Sequence, residues 1–125
     1  MKKIIHTASA PKAVGPYSQA IETNGVLYIS GQIPVDPATG KLVEGGIREQ
    51  TEQVLDNMEA ILIEAGYQFS QVVKCTCFLA DMSLFKEMNE VYARYFQENP
   101  PARAAFGVVS LPLNAMVEIE AIAVK

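Results

Sequence analysis

Between Asn99 and Val117 the chain carries one charged residue, Arg103. It follows the pair Pro100-Pro101 and precedes Ala104 to Val109, an apolar run with the character of a β-strand. A guanidinium in such surroundings is costly unless something negative meets it. Two partners can be argued. Side chains alternate between faces along a strand, so Glu118 and Glu120 share one face of the closing segment, while Val117, Ile119, Ala121 and Ala123 share the other. The first reading pairs Arg103 with Glu118 or Glu120 across neighbouring strands, a common sheet feature. The second makes Arg103 an anion site. Its planar fork fits a carboxylate with two parallel hydrogen bonds. The small neighbours Ala102, Ala104 and Ala105 leave room for a ligand, and one glutamate is then free to act as a general acid or base.

Other chemistries have less to work with. His6 is the only histidine, and Cys75 and Cys77 are the only cysteines. Zinc needs about four ligands, and a triad would have to use His6, close to the chain's beginning. Two cysteines separated by one residue in an extended segment are badly placed for a mutual disulfide. They read as reduced core thiols. Gly15-Pro16-Tyr17-Ser18 and Ser30-Gly31-Gln32-Ile33-Pro34 are marked loops, but neither matches a phosphate-cradling pattern. Taken singly they are turn chemistry, and Asn89, among polar neighbours, reads as a surface residue. The net charge of −4 and the scattered basic residues speak against a nucleic-acid partner. No segment resembles a signal peptide or a membrane span, so a soluble, cytoplasmic protein is expected.

Something must hold these residues in place. At 125 residues, half of them hydrophobic, the chain is long enough for one core and is read as one domain, 1–125. Strands are expected at 3–6, 19–22 and 26–30, the last two joined by Asn24-Gly25, a strong hairpin signal. Pro34, Pro37, Gly40, Gly45 and Gly46 make 34–46 a loop. Ile47, Val54, Leu55, Met58, Ile61, Leu62 and Ala65 recur at helical spacing up to Gly66, a typical C-terminal stop. The strand expected at 72–80 is nearly all apolar, which suggests burial on both faces. Asp81 or Ser83 can cap a second helix, whose stripe is Leu84, Phe85, Met88, Val91, Tyr92, Tyr95 and Phe96. Strands at 102–109 and 115–124 complete the order β-β-β-α-β-α-β-β. Two amphipathic helices can cover one face of such a sheet, giving a two-layer α+β domain. The other face needs a cover too, and a partner subunit is the economical one.

Several short motifs then stand together in one order. They are Gly15-Pro16-Tyr17-Ser18-Gln19-Ala20, Ser30-Gly31-Gln32-Ile33-Pro34, Gln50-Thr51-x-Gln53-x-x-x-Asn57, Asn89-x-x-Tyr92, Pro101-Ala102-Arg103 and Val117-Glu118-Ile119-Glu120-Ala121-Ile122-Ala123. Each is weak alone; the ordered set is specific. Over nearly its whole length the chain resembles the RidA, or YjgF, family of reactive-intermediate deaminases. The resemblance implies a chorismate-mutase-like α+β fold and a homotrimer with sites in clefts between subunits. It implies hydrolysis of 2-iminopropanoate, 2-iminobutanoate and enamines such as 2-aminoacrylate to 2-oxo acids and ammonia, without metal or cofactor. Arg103 would hold the substrate carboxylate and Glu118 would manage the attacking water. Tyr17, Ser30 and Asn89 would line the pocket, while the Gly31 carbonyl and the Ala105 amide would add hydrogen bonds. Glu120, roughly 7 Å further along the strand, would be a structural or interface charge.

Many members of that family have cysteine two residues after the motif arginine, where this chain has Ala105. A backbone amide does not depend on its side chain, so the deaminase expectation stands while any role for a thiol there falls away. Two other functions stay open at this point. One is a regulatory trimer that senses 2-oxo acids without turnover. The other is an endoribonuclease or translation inhibitor, disfavoured by the acidic balance.

Overall fold

A computed structural model describes all residues, Met1–Lys125. The elements are β1 (Lys3–Ile5), β2 (Ala20–Thr23), β3 (Val26–Gln32), β4 (Val35–Asp36), β5 (Lys41–Leu42), α1 (Ile47–Ala65), β6 (Val72–Leu79), α2 (Phe85–Tyr95), β7 (Ala102–Gly107) and β8 (Val117–Val124). Six strands form one sheet in the order β1-β2-β3-β8-β6-β7. Only the β6–β7 pair is parallel, and α2 is the crossover that parallel pairing requires. Both helices lie on one face, the two-layer α+β arrangement expected from the sequence.

Local chemistry explains the element ends. Asn24 and Gly25 both take positive φ, 52° and 76°, which a tight hairpin between β2 and β3 demands. At the start of α1 the Glu49 side chain accepts from the Gly46 N–H at 2.8 Å. At its end Gly66 takes φ 80°, a left-handed stop that costs glycine little. Asp81 accepts from the Ser83 N–H and caps a single 3-10 turn, Met82–Leu84, that leads into α2.

The core lies between sheet and helices. Leu27, Val54, Leu55, Met58, Ile61, Leu79, Met88, Val117 and Ile119 are fully buried there. Each such side chain contributes about 1.5–3 kcal/mol over exposure. The opposite face carries Ile4, Tyr28, Phe106 and Val124, all exposed.

Three expectations change. The 34–46 loop contains a small hairpin, β4 with β5, because Pro37 to Gly40 makes a turn between two extended pairs. Strand β6 is not buried on both faces: Val72, Cys75, Cys77 and Leu79 are buried under the helices, while Val73 is exposed and Lys74, Thr76 and Phe78 are half-buried. Its apolar composition reflects an open face that lacks a cover within the chain. Finally, β7 pairs with β6 rather than with β8, so Arg103 and the two glutamates are not on neighbouring strands.

Candidate functional site

Arg103 stands level with Cys75 of β6, and Cys75 stands level with Ala121 of β8. Residues directly opposite one another share a face, and Cys75 and Ala121 are buried under the helices. Arg103 therefore points to the helix side, at the open edge of the sheet. Its Nη1 donates to Asn89 Oδ1 at 2.6 Å. Its Cζ lies 4.8 Å from the ring centre of Tyr92 and 5.4 Å from that of Phe85. The ion pairs of the chain join Arg48 to Glu87 and Glu90, Arg94 to Glu52, and Lys125 to Glu22. None reaches Arg103. The cross-strand pairing with Glu118 or Glu120 is thus absent, and Asn89 is a half-buried partner of the guanidinium rather than a surface residue.

Glu118 stands level with Phe78, which in turn stands level with Phe106, on the face away from the helices. A β-bulge lies beside it. Ile29 faces Ala121 and Gln32 faces Ile119, so Ser30 and Gly31 together oppose Glu120 alone. The bulge brings the Gly31 backbone under the Glu118 carboxylate. A Cβ at position 31 would fall 1.9 Å from Glu118 Oε2, so only glycine leaves that carboxylate where it is. Partial removal from water, helped by the nearby charge of Glu120, raises the Glu118 carboxyl above the ordinary value of 4.5.

The bulge is tied to the loop before β2. Ser30 Oγ donates to the Ser18 carbonyl at 2.6 Å, and the Ser30 N–H donates to the Gln19 carbonyl at 3.0 Å. Tyr17 and Gly31 both line a cavity of about 520 Å³ whose wall includes Ile33, Val35 and Leu113. Ala105 stands level with the buried Cys77, on Arg103's face.

The expected site residues therefore form two groups. Arg103, Asn89 and Ala105 are on the helix side of the sheet at its β7 edge. Tyr17, Ser30, Gly31 and Glu118 gather around the β3 bulge, with Glu118 on the open face. Within one chain Arg103 and Glu118 stay on opposite faces of the sheet. Cys75 and Cys77 are buried free thiols, and burial pushes the Cys77 thiol up to about 12. They are core residues, as expected.

Several supporting residues gave only a faint signal in the sequence. Gln19 is buried and holds the early loop, accepting from the Thr7 N–H at 2.7 Å and donating to the Pro11 carbonyl at 2.8 Å. Asn57 Nδ2 donates to the carbonyls of Ile33 and Val35 at 3.2 and 2.9 Å, fixing the segment beyond the bulge to α1. Gln50 Oε1 accepts from the Met116 N–H at 2.8 Å, just before β8. Gln50 and Asn57 occupy positions on the buried stripe of α1, where an uncharged polar residue is unexpected unless it serves a backbone.

Comparison with known proteins follows the same lines. The family model described as endoribonuclease L-PSP matches residues 7–125. A protein of Bos taurus named 2-iminobutanoate/2-iminopropanoate deaminase is 53% identical over 125 residues, covering 100% of this chain and 91% of its own length. The structure of a Rid-family protein of unknown function, YyfA from Yersinia pestis, superposes with a TM-score of 0.96 at 48% identity, covering 100% of both chains. E. coli TdcF with bound serine superposes with a TM-score of 0.94 at 40% identity, covering 98% of each.

Proposed function

The chain belongs to the endoribonuclease L-PSP family, which includes the Rid proteins and has the chorismate-mutase-like α+β fold, and on that premise we propose that it hydrolyses 2-imino acids and their enamine tautomers to 2-oxo acids and ammonia. The observation that carries this reading is Arg103: a half-buried guanidinium with one neutral hydrogen-bond partner and no carboxylate of its own. The name of the bovine relative and the serine held by TdcF, a small 2-amino acid, fit the same class of ligand.

The chemistry needs little more than placement. Arg103 of one subunit takes the substrate carboxylate as a bidentate pair. That sets the imine carbon near Glu118 of a neighbouring subunit. The Gly31 carbonyl accepts a hydrogen bond from the imine N–H. Water adds to the imine carbon as Glu118 accepts its proton, giving a carbinolamine. Glu118 returns that proton to nitrogen, ammonia leaves, and Glu118 takes the remaining hydroxyl proton as the C–O bond becomes the carbonyl of the 2-oxo acid. An iminium carbon is already electrophilic, so no covalent nucleophile is required. Orientation of water and imine can contribute several kcal/mol, and a carboxyl raised toward the working pH is a better proton acceptor than an ordinary one. The apolar face of the sheet is covered by further copies in a homotrimer, and each cleft between copies is one site.

A non-catalytic sensor of 2-oxo acids would need Arg103 but has no use for Glu118 near its anionic ligand. Endoribonuclease activity, the namesake of the family, needs cationic surface for phosphates; here Arg48 and Arg94 are already engaged by glutamates. The test uses an amino-acid oxidase to generate imino acids in the presence of semicarbazide. Added protein should divert imine to 2-oxo acid and lower semicarbazone formation. Unchanged semicarbazone at micromolar protein rules the activity out.

A further inference from the structure

Phe85, Asn89 and Tyr92 are four and three residues apart on α2, so they form one stripe of that helix. All three meet Arg103. Their contacts share one property: none carries charge. Asn89 occupies Nη1 only, and an aromatic face holds a guanidinium through its quadrupole without taking N–H groups in the plane of the fork. A carboxylate in the same place would bind the fork itself and repel an arriving carboxylate. The Tyr92 ring is buried, and its buried hydroxyl makes no hydrogen bond to Arg103 or to any other group of the chain. The working part of Tyr92 is therefore its ring.

We propose that Phe85 and Tyr92 are positioning residues: their rings hold the plane of Arg103 so that its remaining N–H groups face a substrate carboxylate, and they do so without competing for it. The inference deepens the deaminase reading in assigning that carboxylate to the substrate.

The experiment compares binding of 2-oxobutanoate and of 2-oxobutanamide to the assembled protein by calorimetry. The ratio of the two affinities reads the placement of the arginine, and a general loss of packing lowers both alike. Wild type should prefer the acid. Tyr92→Leu should lower that preference by roughly 5- to 30-fold, whereas Tyr92→Phe, which keeps the ring, should restore most of it. Phe85→Leu, at a less buried position, provides a second variant should Tyr92→Leu fail to fold, and should lower the preference in the same direction. Thermal melts on the same samples show that folded protein is being measured. The inference is overturned by a folded leucine variant with the wild-type ratio, by a Tyr92→Phe variant as damaged as Tyr92→Leu, or by a wild type without preference for the acid. A wild type that hydrolyses no imine, yet loses its acid preference in the leucine variants, upholds the aromatic cradle and removes only the deaminase reading.

Discussion

Arg103 and Glu118 are charged groups in opposite predicaments. Arg103 is held by neutral partners and is short of an anion; Glu118 is partly desolvated beside another carboxylate and is short of a cation. Each predicament yields a prediction. Arg103→Ala should cost roughly 30- to 5,000-fold in kcat/KM, the effect of losing about 2–5 kcal/mol of a desolvated charge-assisted pair. Arg103→Lys should also be badly impaired, because an ammonium keeps the charge and loses the fork. Neither change breaks an ion pair within the chain, so the melting temperature should move little. Near-normal turnover by a folded Arg103→Ala protein would refute the anchor. For Glu118 the sign follows from linkage. Its folded pKa lies above the unfolded one, so its stabilising contribution is full below the unfolded value near 4.5 and is lost as pH rises through the raised value. Glu118→Gln should therefore gain on wild type in melting temperature as pH is taken from 4 to 7, while losing turnover at every pH. Wild-type kcat/KM should rise over the same window as the carboxylate forms. A melting-temperature difference independent of pH would show that Glu118 is not desolvated in the folded state. The residue types and their alternation were readable in the sequence, but the partners were not. Alternation says which residues share a face of one strand; only the strand order decides whether two strands are neighbours.

The elements act by fixing backbone where the site needs it. Periodicity and turn chemistry were enough to place both helices, the Asn24-Gly25 hairpin and the Gly66 stop, since each is settled by a few adjacent residues. The bulge in β3 was not readable, because it depends on β8 having one residue fewer opposite Ser30 and Gly31. Nor was the β4–β5 hairpin, whose two-residue strands are too short for any periodic signal. Gly31→Ala tests the bulge directly. The clash is with the flexible end of Glu118, which can swing away, so the protein should fold with a near-normal melting temperature. Turnover should nevertheless fall by at least about tenfold, since orientation of the carboxylate is what the site supplies. Retained activity would show that the position of Glu118 over Gly31 is immaterial. Asn57→Leu tests the fastening of the next segment. It leaves the Ile33 and Val35 carbonyls without their side-chain donor in a buried region, at a cost of about 1–3 kcal/mol. Here both melting temperature and turnover should drop. An unchanged melting temperature would mean that water or another donor replaces Asn57.

At the scale of the molecule, the sheet is finished on one side only. Tyr28, Phe106 and Val124 lie exposed on the face that also bears Glu118, with Phe78 and Phe106 stacked at 6.4 Å between ring centres. Monomeric proteins rarely leave an apolar sheet face to water, and symmetric association is the usual way to cover one. Composition and helix number already pointed to a partner. The register sets Arg103 and Glu118 on opposite faces, which supports the site between subunits that the family resemblance implies. The consequence can be measured by complementation. Arg103→Ala and Glu118→Gln proteins should each be nearly inactive. Mixed in equal amounts, dissociated and reassembled, they form some clefts that combine the intact Arg103 of one chain with the intact Glu118 of its neighbour. Random assembly in a closed ring makes that combination in about a quarter of the clefts, whatever the number of subunits. Turnover in the reassembled mixture should accordingly recover to about a quarter of the wild-type value, while each variant reassembled alone stays inactive. If both residues served one site within a single chain, every site would carry one lesion and the mixture would remain as inactive as its components.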